Sequence, residues 1–191
     1  MPIMLTRSKC IVSFCLALVF GLARSATPMA DGSTLTIAAS ERGTSATVTA
    51  SAISRRVTLD PSLKKALSAA SDFFVVAGRG FSQEGRHYLV VGIAIPSTTR
   101  RGLGFCGSGS EEMLLLIEWQ KRQQALRLRD KFEVQSCLKT FELSSDKGAS
   151  LKDALAALDH ASSMSLTWLN HPSYGEGTKT VSVSKARFHV D

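Results

Sequence analysis

The feature of this sequence that most constrains its fold is a stretch in the second half where apolar and charged residues alternate. Five consecutive apolar residues at 113–117 would cover every face of a helix. After a short polar segment, apolar and charged side chains take turns along the chain at Leu126, Arg127, Leu128, Arg129, Lys131, Phe132, Glu133 and Val134. Because a period of two places one set of side chains on each face of a strand, we predict a hairpin with strands at 112–119 and 125–135. The competing interpretation is a helix, since Ser108 and Glu111 have the spacing of a capping box.

Alternating or uniformly apolar runs predict further strands along the chain. They lie at 33–39, 44–54, 73–78, 87–96, 138–143, 164–169 and 179–190. The first two are joined by polar residues and Gly43, which predicts a hairpin on a sheet edge. The run at 87–96 is nearly all apolar, which is typical of a strand in the middle of a sheet.

Two short segments carry the sequence features of helices. Asp60 followed by Pro61 is a favourable helix start, and apolar residues recur at helical spacing through 61–71. Ser150, with Asp153 three residues later, starts the second predicted helix, whose apolar residues form one stripe. Strands dominate and no βαβ alternation is present. The fold class that we predict is therefore α+β: a single domain built on a mainly antiparallel β-sheet, with two short helices and one disulfide.

The amino terminus has the pattern of a secretory signal peptide at residues 1–25. Basic residues precede an apolar run at 10–23, which is too short to cross a bilayer core of about 30 Å as a helix, and Ala23 and Ser25 fit a cleavage site. Cleavage would leave one exported domain at 26–191, with twenty basic and sixteen acidic residues and a net charge of +4. We therefore predict a periplasmic or secreted protein rather than an integral membrane protein. A charge this small does not indicate nucleic acid as a partner.

Cys106 and Cys137 are the two cysteines that remain after this cleavage, and an oxidising compartment favours a disulfide between them. Closing a loop of about 30 residues would stabilise the fold by roughly 3–4 kcal/mol. Cys106 lies in a glycine-rich loop at 100–112. The disulfide would hold this loop beside the basic strand, near Arg127 and Arg129. The alternative is that Cys106 is a nucleophile whose thiolate is stabilised by loop amides.

The motifs of cofactor, metal and catalytic sites are incomplete in this sequence. Gly102, Gly104 and Gly107 match the spacing of a dinucleotide-binding loop, but no strand ends at the first glycine. The four histidines lack the spacing of metal ligands, and Ser108 is not in a nucleophile-elbow motif. The carboxylates at 111–112 fit the solvated end of a loop better than a catalytic pair. We therefore predict no cofactor and no metal, and we favour a non-catalytic protein over an enzyme.

These patterns favour a non-catalytic exported binding protein, such as an inhibitor or immunity factor for an envelope-targeting enzyme. Its partner would be a protein or an anionic envelope component, because charge of one sign on the basic strand speeds encounter with acidic surfaces. The predicted partner-binding residues lie in the glycine-rich loop and on the basic strand: Arg101, Phe105, Ser108, Ser110, Arg127 and Arg129. The alternative function is a small exported hydrolase that uses Cys106 or a loop serine. The sequence does not indicate an oligomeric state.

Residues 108–110, Ser-Gly-Ser, are similar to the Ser-Gly-Ser loops of periplasmic lysozyme inhibitors. The similarity covers three residues, and Glu111 and Glu112 stand where those loops carry an aromatic residue. It implies an inhibitor-like role for the loop, and we do not assign the chain to that family.

Overall fold

A computed structural model of the chain describes residues 23–29, 32–40, 43–50, 53–97, 109–144 and 163–191. Within these ranges the chain forms eleven β-strands, one α-helix and a 3-10 turn at Lys121–Gln123. The elements follow one another as β1 (Ala23–Pro28), β2 (Thr34–Ser40), β3 (Gly43–Ala50), β4 (Ile53–Leu59), α1 (Pro61–Ala69), β5 (Asp72–Gln83), β6 (Arg86–Pro96), β7 (Ser110–Gln120), β8 (Ala125–Ser136), β9 (Ser163–His171), β10 (Gly175–Ser184) and β11 (Arg187–Val190). The described part is mostly β-sheet, as the strand-rich sequence predicts.

The strands form one large sheet and one small sheet. The eight-stranded sheet has the order β1-β2-β3-β4-β8-β7-β6-β5, and the three-stranded sheet has the order β11-β10-β9. Neighbouring strands are antiparallel except β4 and β8, which pair in parallel through the last two residues of β4, Thr58 and Leu59. The outermost strands β1 and β5 contact each other, so the large sheet curls into an open barrel. The prediction of a mainly antiparallel sheet is confirmed.

The inside of the barrel is filled by apolar side chains from most of its strands and from α1. Its fully buried members include Leu35, Ile37, Leu63, Leu67, Leu89, Ile93, Leu115, Ile117 and Leu126. Gly80 of β5 lies close to the backbone of β6. A Cβ atom at this position would lie 2.9 Å from the carbonyl oxygen of Tyr88, whereas its distance of 3.6 Å from Met29, which follows β1, would be an ordinary contact. The close approach of β5 to β6 at this point therefore depends on a residue without a side chain.

A second core lies between the outer face of the barrel and the three-stranded sheet. It joins side chains of β6, β7 and β8 to Trp168 and Val181 of the small sheet. All residues of β7 from 114 to 119 are buried, because this strand is covered on both faces. The double covering explains why the sequence shows five consecutive apolar residues at 113–117 rather than an alternation.

Asp60 is the N-cap of α1, as predicted, and it also ties the helix to β8. Its Oδ1 atom accepts a hydrogen bond from the backbone N–H of Leu63 at 2.9 Å. Its Oδ2 atom accepts a hydrogen bond from the backbone N–H of Leu128. Leu63 and Leu67 pack into the barrel core. One carboxylate thereby connects the start of the helix to the parallel strand pair.

The predicted hairpin at 112–135 is confirmed, and the helix alternative for its first half is wrong. Strands β7 and β8 pair from Glu111, opposite Ser136, to Gln120, opposite Ala125. The 3-10 turn reverses the chain between them and is followed by Gln124 in the left-handed region.

Several other strand predictions differ from the structure, among them 73–78, which is part of the longer strand β5. The segment 44–54 is divided between β3 and β4, and the β2–β3 hairpin lies inside the sheet rather than on its edge, because β1 pairs with β2. The segment 179–190 is a hairpin of β10 and β11, whose turn residues Lys185 and Ala186 have φ of 47° and 58°. The segment 138–143 is a turn with two isolated bridges instead of a strand.

Several predictions fall outside the described residues. These are the second helix at 150–158, most of the signal peptide, and Cys106. Strand β1 begins at Ala23, so the predicted cleavage point after Ser25 falls inside it. No complete disulfide is found among the described residues, because Cys106 is not one of them. Cys137 lies on the turn after β8 as one half of a disulfide, so its pairing with Cys106 stays a prediction.

Candidate functional site

The predicted partner-binding residues fall in separate places. Those of the glycine-rich loop lie outside the described residues, namely Arg101, Phe105 and Ser108. Ser110 is the first residue of β7, and its hydroxyl donates a hydrogen bond to Oε1 of Glu112 at 3.3 Å. Arg127 and Arg129 lie near the start of β8 with exposed side chains.

The described ends of the loop and the two strand arginines lie at opposite ends of β8. Ser97 and Gly109, which flank the loop, are joined by a backbone hydrogen bond of 2.9 Å and lie beside the end of β8. Cys137 follows that end, whereas Arg127 comes ten residues earlier, roughly 33 Å away along an extended strand. A tether at Cys137 therefore attaches at the end of β8 that lies away from Arg127, because β8 carries the chain across the whole sheet. The prediction that the disulfide places the loop near Arg127 and Arg129 concerns residues outside the described ranges and stays a prediction.

Glu111 holds the base of the loop through a set of hydrogen bonds. Its Oε1 atom accepts from Ser97 Oγ at 2.5 Å and from the backbone N–H of Leu138 at 3.2 Å. Its Oε2 atom accepts from the hydroxyl of Ser136. Burial raises the pKa of Glu111, but these hydrogen bonds, together with nearby Lys139, outweigh it and lower the pKa below its usual value. The ionised carboxylate therefore joins the strands on both sides of the loop to the turn after β8.

The solvation predicted for the carboxylates at 111–112 is thus wrong. Glu111 is partly buried and accepts hydrogen bonds at both carboxylate oxygens, and Glu112 is buried. The prediction missed that β7 continues to Ser110, so that both carboxylates belong to a strand in the middle of the sheet.

Replacing Glu111 by glutamine is expected to destabilise the protein by about 1–3 kcal/mol at pH 7, because charge-assisted hydrogen bonds become weaker ones. Since its folded-state pKa lies below the ordinary value of 4.5, the carboxylate stabilises the fold above that pH. This contribution is lost as the pH falls through the folded-state pKa. Urea unfolding should therefore show a smaller difference between variant and wild type at about pH 3. The exposed substitution Glu142→Gln is the control, and an equal Glu111→Gln penalty at both pH values would contradict this role.

Five exposed cationic residues lie on the segments that meet at one corner of the fold, namely β4, the first turn of α1, the 3-10 turn and the start of β8. We call them the basic surface: Arg55, Arg56, Lys64, Arg122 and Arg127. These segments meet because β4 and β8 pair at Thr58 and Leu59. The backbone N–H of Thr58 also donates to the carbonyl of Gln124 at 2.9 Å, which brings the 3-10 turn to the same corner.

Two open pockets adjoin within the basic surface and share Thr58 and Leu59. The smaller pocket, of about 350 Å³, is lined by Arg56 and Lys64. The larger pocket, of about 680 Å³, is lined by Arg127. Hydroxyl and amide groups surround these cations, from Thr44, Ser45, Thr58, Ser62 and Gln123. Such a combination of donors binds carboxylate and phosphate groups.

The cations of the basic surface form no ion pairs with described residues, although Asp60 adds one negative charge to the larger pocket. Both oxygens of Asp60, which lies in the larger pocket, are occupied by backbone N–H groups. Arg129 differs, because it forms an ion pair with Glu118, whose side chain is only 8% exposed. Of the two strand arginines predicted to bind a partner, Arg127 thus belongs to the basic surface and Arg129 is engaged within the fold.

Sequence reasoning identified Arg127 but missed Arg55, Arg56 and Lys64. The basic doublets at 55–56 and 64–65 are visible in the sequence. Nothing local to them indicates that they meet the start of β8. That meeting requires the parallel pairing of β4 with β8, two strands far apart along the chain.

The histidine that lies among aromatic side chains is held by the backbone. His171 accepts hydrogen bonds at Nδ1 from the backbone N–H groups of Ser173 and Tyr174, at 3.1 and 3.2 Å. Burial lowers the pKa of His171.

Within the described ranges, no group of three or more His, Cys, Asp and Glu side chains is placed to hold a metal ion.

A scan of this chain against models of protein families finds no match, and a search of curated proteins finds no relative. In the part of the chain that the structure describes, no helix is long and apolar enough to cross a membrane. The function is therefore inferred from the basic surface itself.

Proposed function

We propose that this chain is a non-catalytic exported binding protein that contacts an acidic macromolecule through its basic surface. The observation that carries the proposal is a set of five exposed cations, none of them in an ion pair with a described residue, of which Arg56, Lys64 and Arg127 line two adjoining pockets. The partner is a protein with an acidic face or an anionic component of the cell envelope. An inhibitor or immunity factor for an envelope-targeting enzyme is the narrower form of this hypothesis.

The geometry of the basic surface favours a partner that carries several acidic groups. Arg56 and Arg127 lie on neighbouring strands on either side of Thr58, so carboxylates spaced along one partner can reach both guanidinium groups. Each planar guanidinium can hold a carboxylate with two parallel hydrogen bonds. Contacts that remain open to solvent are individually weak and are screened by salt. Binding should therefore be multivalent and should weaken as the ionic strength rises.

The hydrolase alternative stays a prediction. Its candidate nucleophiles, Cys106 and the serine at position 108, lie outside the described residues. Ser110, the described serine of the loop, donates to Glu112. No observation on the described residues favours hydrolysis over binding.

The double substitution Arg56→Glu and Arg127→Glu is expected to weaken the binding of fluorescein-labelled poly-L-glutamate at least about tenfold at low salt, because attraction at two points becomes repulsion. Fluorescence anisotropy would measure this affinity. For the wild type, the affinity should also fall between ionic strengths of about 0.01 M and 0.15 M, as the Debye length shortens.

The matched control is Lys185→Glu with Arg187→Glu, which changes the net charge equally at two exposed residues of the β10–β11 hairpin. This control should bind almost as well as the wild type. Equal weakening by the two double variants would show that only net charge matters. That result, or a wild type that does not bind poly-L-glutamate, would contradict the proposed function.

A further inference from the structure

We propose that the open edge of β4 binds an extended acidic segment of a partner protein as an added β-strand. This inference rests on the proposed function and names the kind of partner and the mode of contact. Strand addition at a sheet edge is a common form of peptide recognition, in which backbone hydrogen bonds supply affinity and side chains supply specificity.

The open edge arises because β4 extends beyond its neighbour β8. On one side, β4 pairs with β3 from Ile53, opposite Ala50, to Val57, opposite Ala46. On the other side, only Thr58 and Leu59 pair with β8. Among the described residues, no strand pairs with positions 53–57 of β4 on that side.

The direction of the backbone groups shows what the open edge offers. The N–H groups of Thr58 and Asp60 donate to the carbonyls of Gln124 and Leu126, on the side of β8. Because backbone groups two residues apart in a strand point to the same side, the N–H and C=O groups of residues 54 and 56 point to the open edge. These donors and acceptors are spaced as a pairing strand requires.

The dimensions of the edge fit a short segment. Five residues of β4 span roughly 17 Å. At one end the edge stops at the 3-10 turn, which carries Arg122. At the other end lies Ile53, whose side chain is 61% exposed. An added strand would thus meet an apolar contact at one end and a cation at the other.

The charges on the edge select an acidic segment. Arg55 and Arg56 are exposed neighbours in the strand, so they place one cation on each face of an added strand. Acidic side chains on the two faces of the partner would pair with them. A second copy of this chain fits poorly, because antiparallel pairing of two β4 edges would bring arginines against arginines.

The test compares two fluorescein-labelled peptides about seven residues long, which is enough to span the edge. Both alternate valine with pairs of glutamates, and the second is methylated on its backbone nitrogens. Methylation keeps the charge and removes the N–H donors that strand pairing needs. We expect the unmodified peptide to bind and the methylated peptide to bind at least about tenfold more weakly, by fluorescence anisotropy. The substitution Arg56→Glu should weaken the binding of the unmodified peptide, whereas Lys185→Glu should leave its binding unchanged.

The outcomes separate this inference from the proposed function. If the two peptides bound equally well and Arg56→Glu weakened the binding of both, strand addition would be overturned. The basic surface would then remain a site of charge recognition. Failure of both peptides and of poly-L-glutamate would overturn both proposals. A dimer of the free protein in sedimentation, dissociated by the peptide, would assign the edge to a second copy and overturn the choice of partner. Protection of the amide of Arg56 from hydrogen exchange in the free monomer would show that another segment of this chain covers the edge. That result would also overturn the choice of partner.

Discussion

Replacing Asp60 by alanine is expected to destabilise the fold by about 2–4 kcal/mol. The loss of an N-cap side chain costs about 1 kcal/mol, because the N–H of Leu63 loses its acceptor. The same substitution leaves the N–H of Leu128 without its acceptor, which adds about 1–3 kcal/mol. The effect is large for an exposed corner of a domain because one carboxylate serves both the helix and the strand that meet there.

Urea unfolding at pH 7 measures this effect, and two further variants make the test specific. Asp60→Asn keeps a carbonyl oxygen that can cap Leu63 but loses the second acceptor, so it should fall between alanine and wild type. Ser62→Ala changes an exposed neighbour in the first turn of α1 and should stay within about 0.5 kcal/mol of wild type. An Asp60→Ala protein as stable as Ser62→Ala would show that the carboxylate does not hold this corner.

Replacing Trp168 by alanine should destabilise the protein by about 3–5 kcal/mol. Trp168 is fully buried between the barrel and the small sheet, and its indole Nε1–H donates to the carbonyl of Val134 at 2.7 Å. Its ring also contacts Phe132, His171 and Tyr174, with centroid distances of 6.2, 5.0 and 5.8 Å. Truncation leaves a cavity where the two sheets meet and removes a hydrogen bond at the same time.

Trp168→Phe separates these two contributions. Phenylalanine keeps most of the packing and loses the donor to Val134, so we expect a loss of about 1–2 kcal/mol in urea unfolding. The control is Leu169→Ala, one residue away on the outer side of β9, where the side chain is 49% exposed. Its effect should be small. If Trp168→Ala lowered the free energy of unfolding no more than Leu169→Ala, the packing of the small sheet against the barrel would not depend on Trp168.

The effects of these substitutions bear on the proposed function because the basic surface is built by long-range contacts. Asp60 fixes the start of α1 against β8, and Lys64 lies on the turn that it caps. An Asp60→Ala protein that still folds should therefore bind poly-L-glutamate less tightly than wild type, although Asp60 itself carries a negative charge. Tighter binding would instead indicate that removal of the charge outweighs the loss of geometry.

The parts of the fold that the sequence predicts are those with local causes. The β7–β8 hairpin follows from alternation and from a buried run next to each other along the chain. The helix start at Asp60 follows from capping chemistry within four residues. In each case the residues that determine the structure are neighbours in sequence.

The parts that the sequence does not predict depend on contacts between distant strands. The parallel pairing of β4 with β8 rests on two residue pairs, and neither strand carries a pattern that marks the other as its partner. The contact between β1 and β5, which curls the large sheet into an open barrel, likewise has no local signal in the sequence. The basic surface is formed by the pairing of β4 with β8. The sequence therefore shows the basic residues but not the place where the segments that carry them meet.

The distance between the base of the loop and Arg127 has a different cause. The sequence prediction took Cys137, just beyond the basic strand, as a tether that would bring the loop near Arg127 and Arg129, because these residues are close in sequence. In an extended strand, ten residues cover roughly 33 Å, so closeness along the chain becomes distance across the sheet. The same rule separates Glu111, at the base of the loop, from the basic surface at the far end of β7 and β8.

The most direct measurement of the basic surface as a contact site is amide hydrogen exchange of the wild-type protein with and without poly-L-glutamate. We predict slower exchange on binding in β4 and at residues 121–128, with little change in the β10–β11 hairpin. Slower exchange confined to the small sheet, or no change anywhere despite binding, would contradict the assignment of this surface.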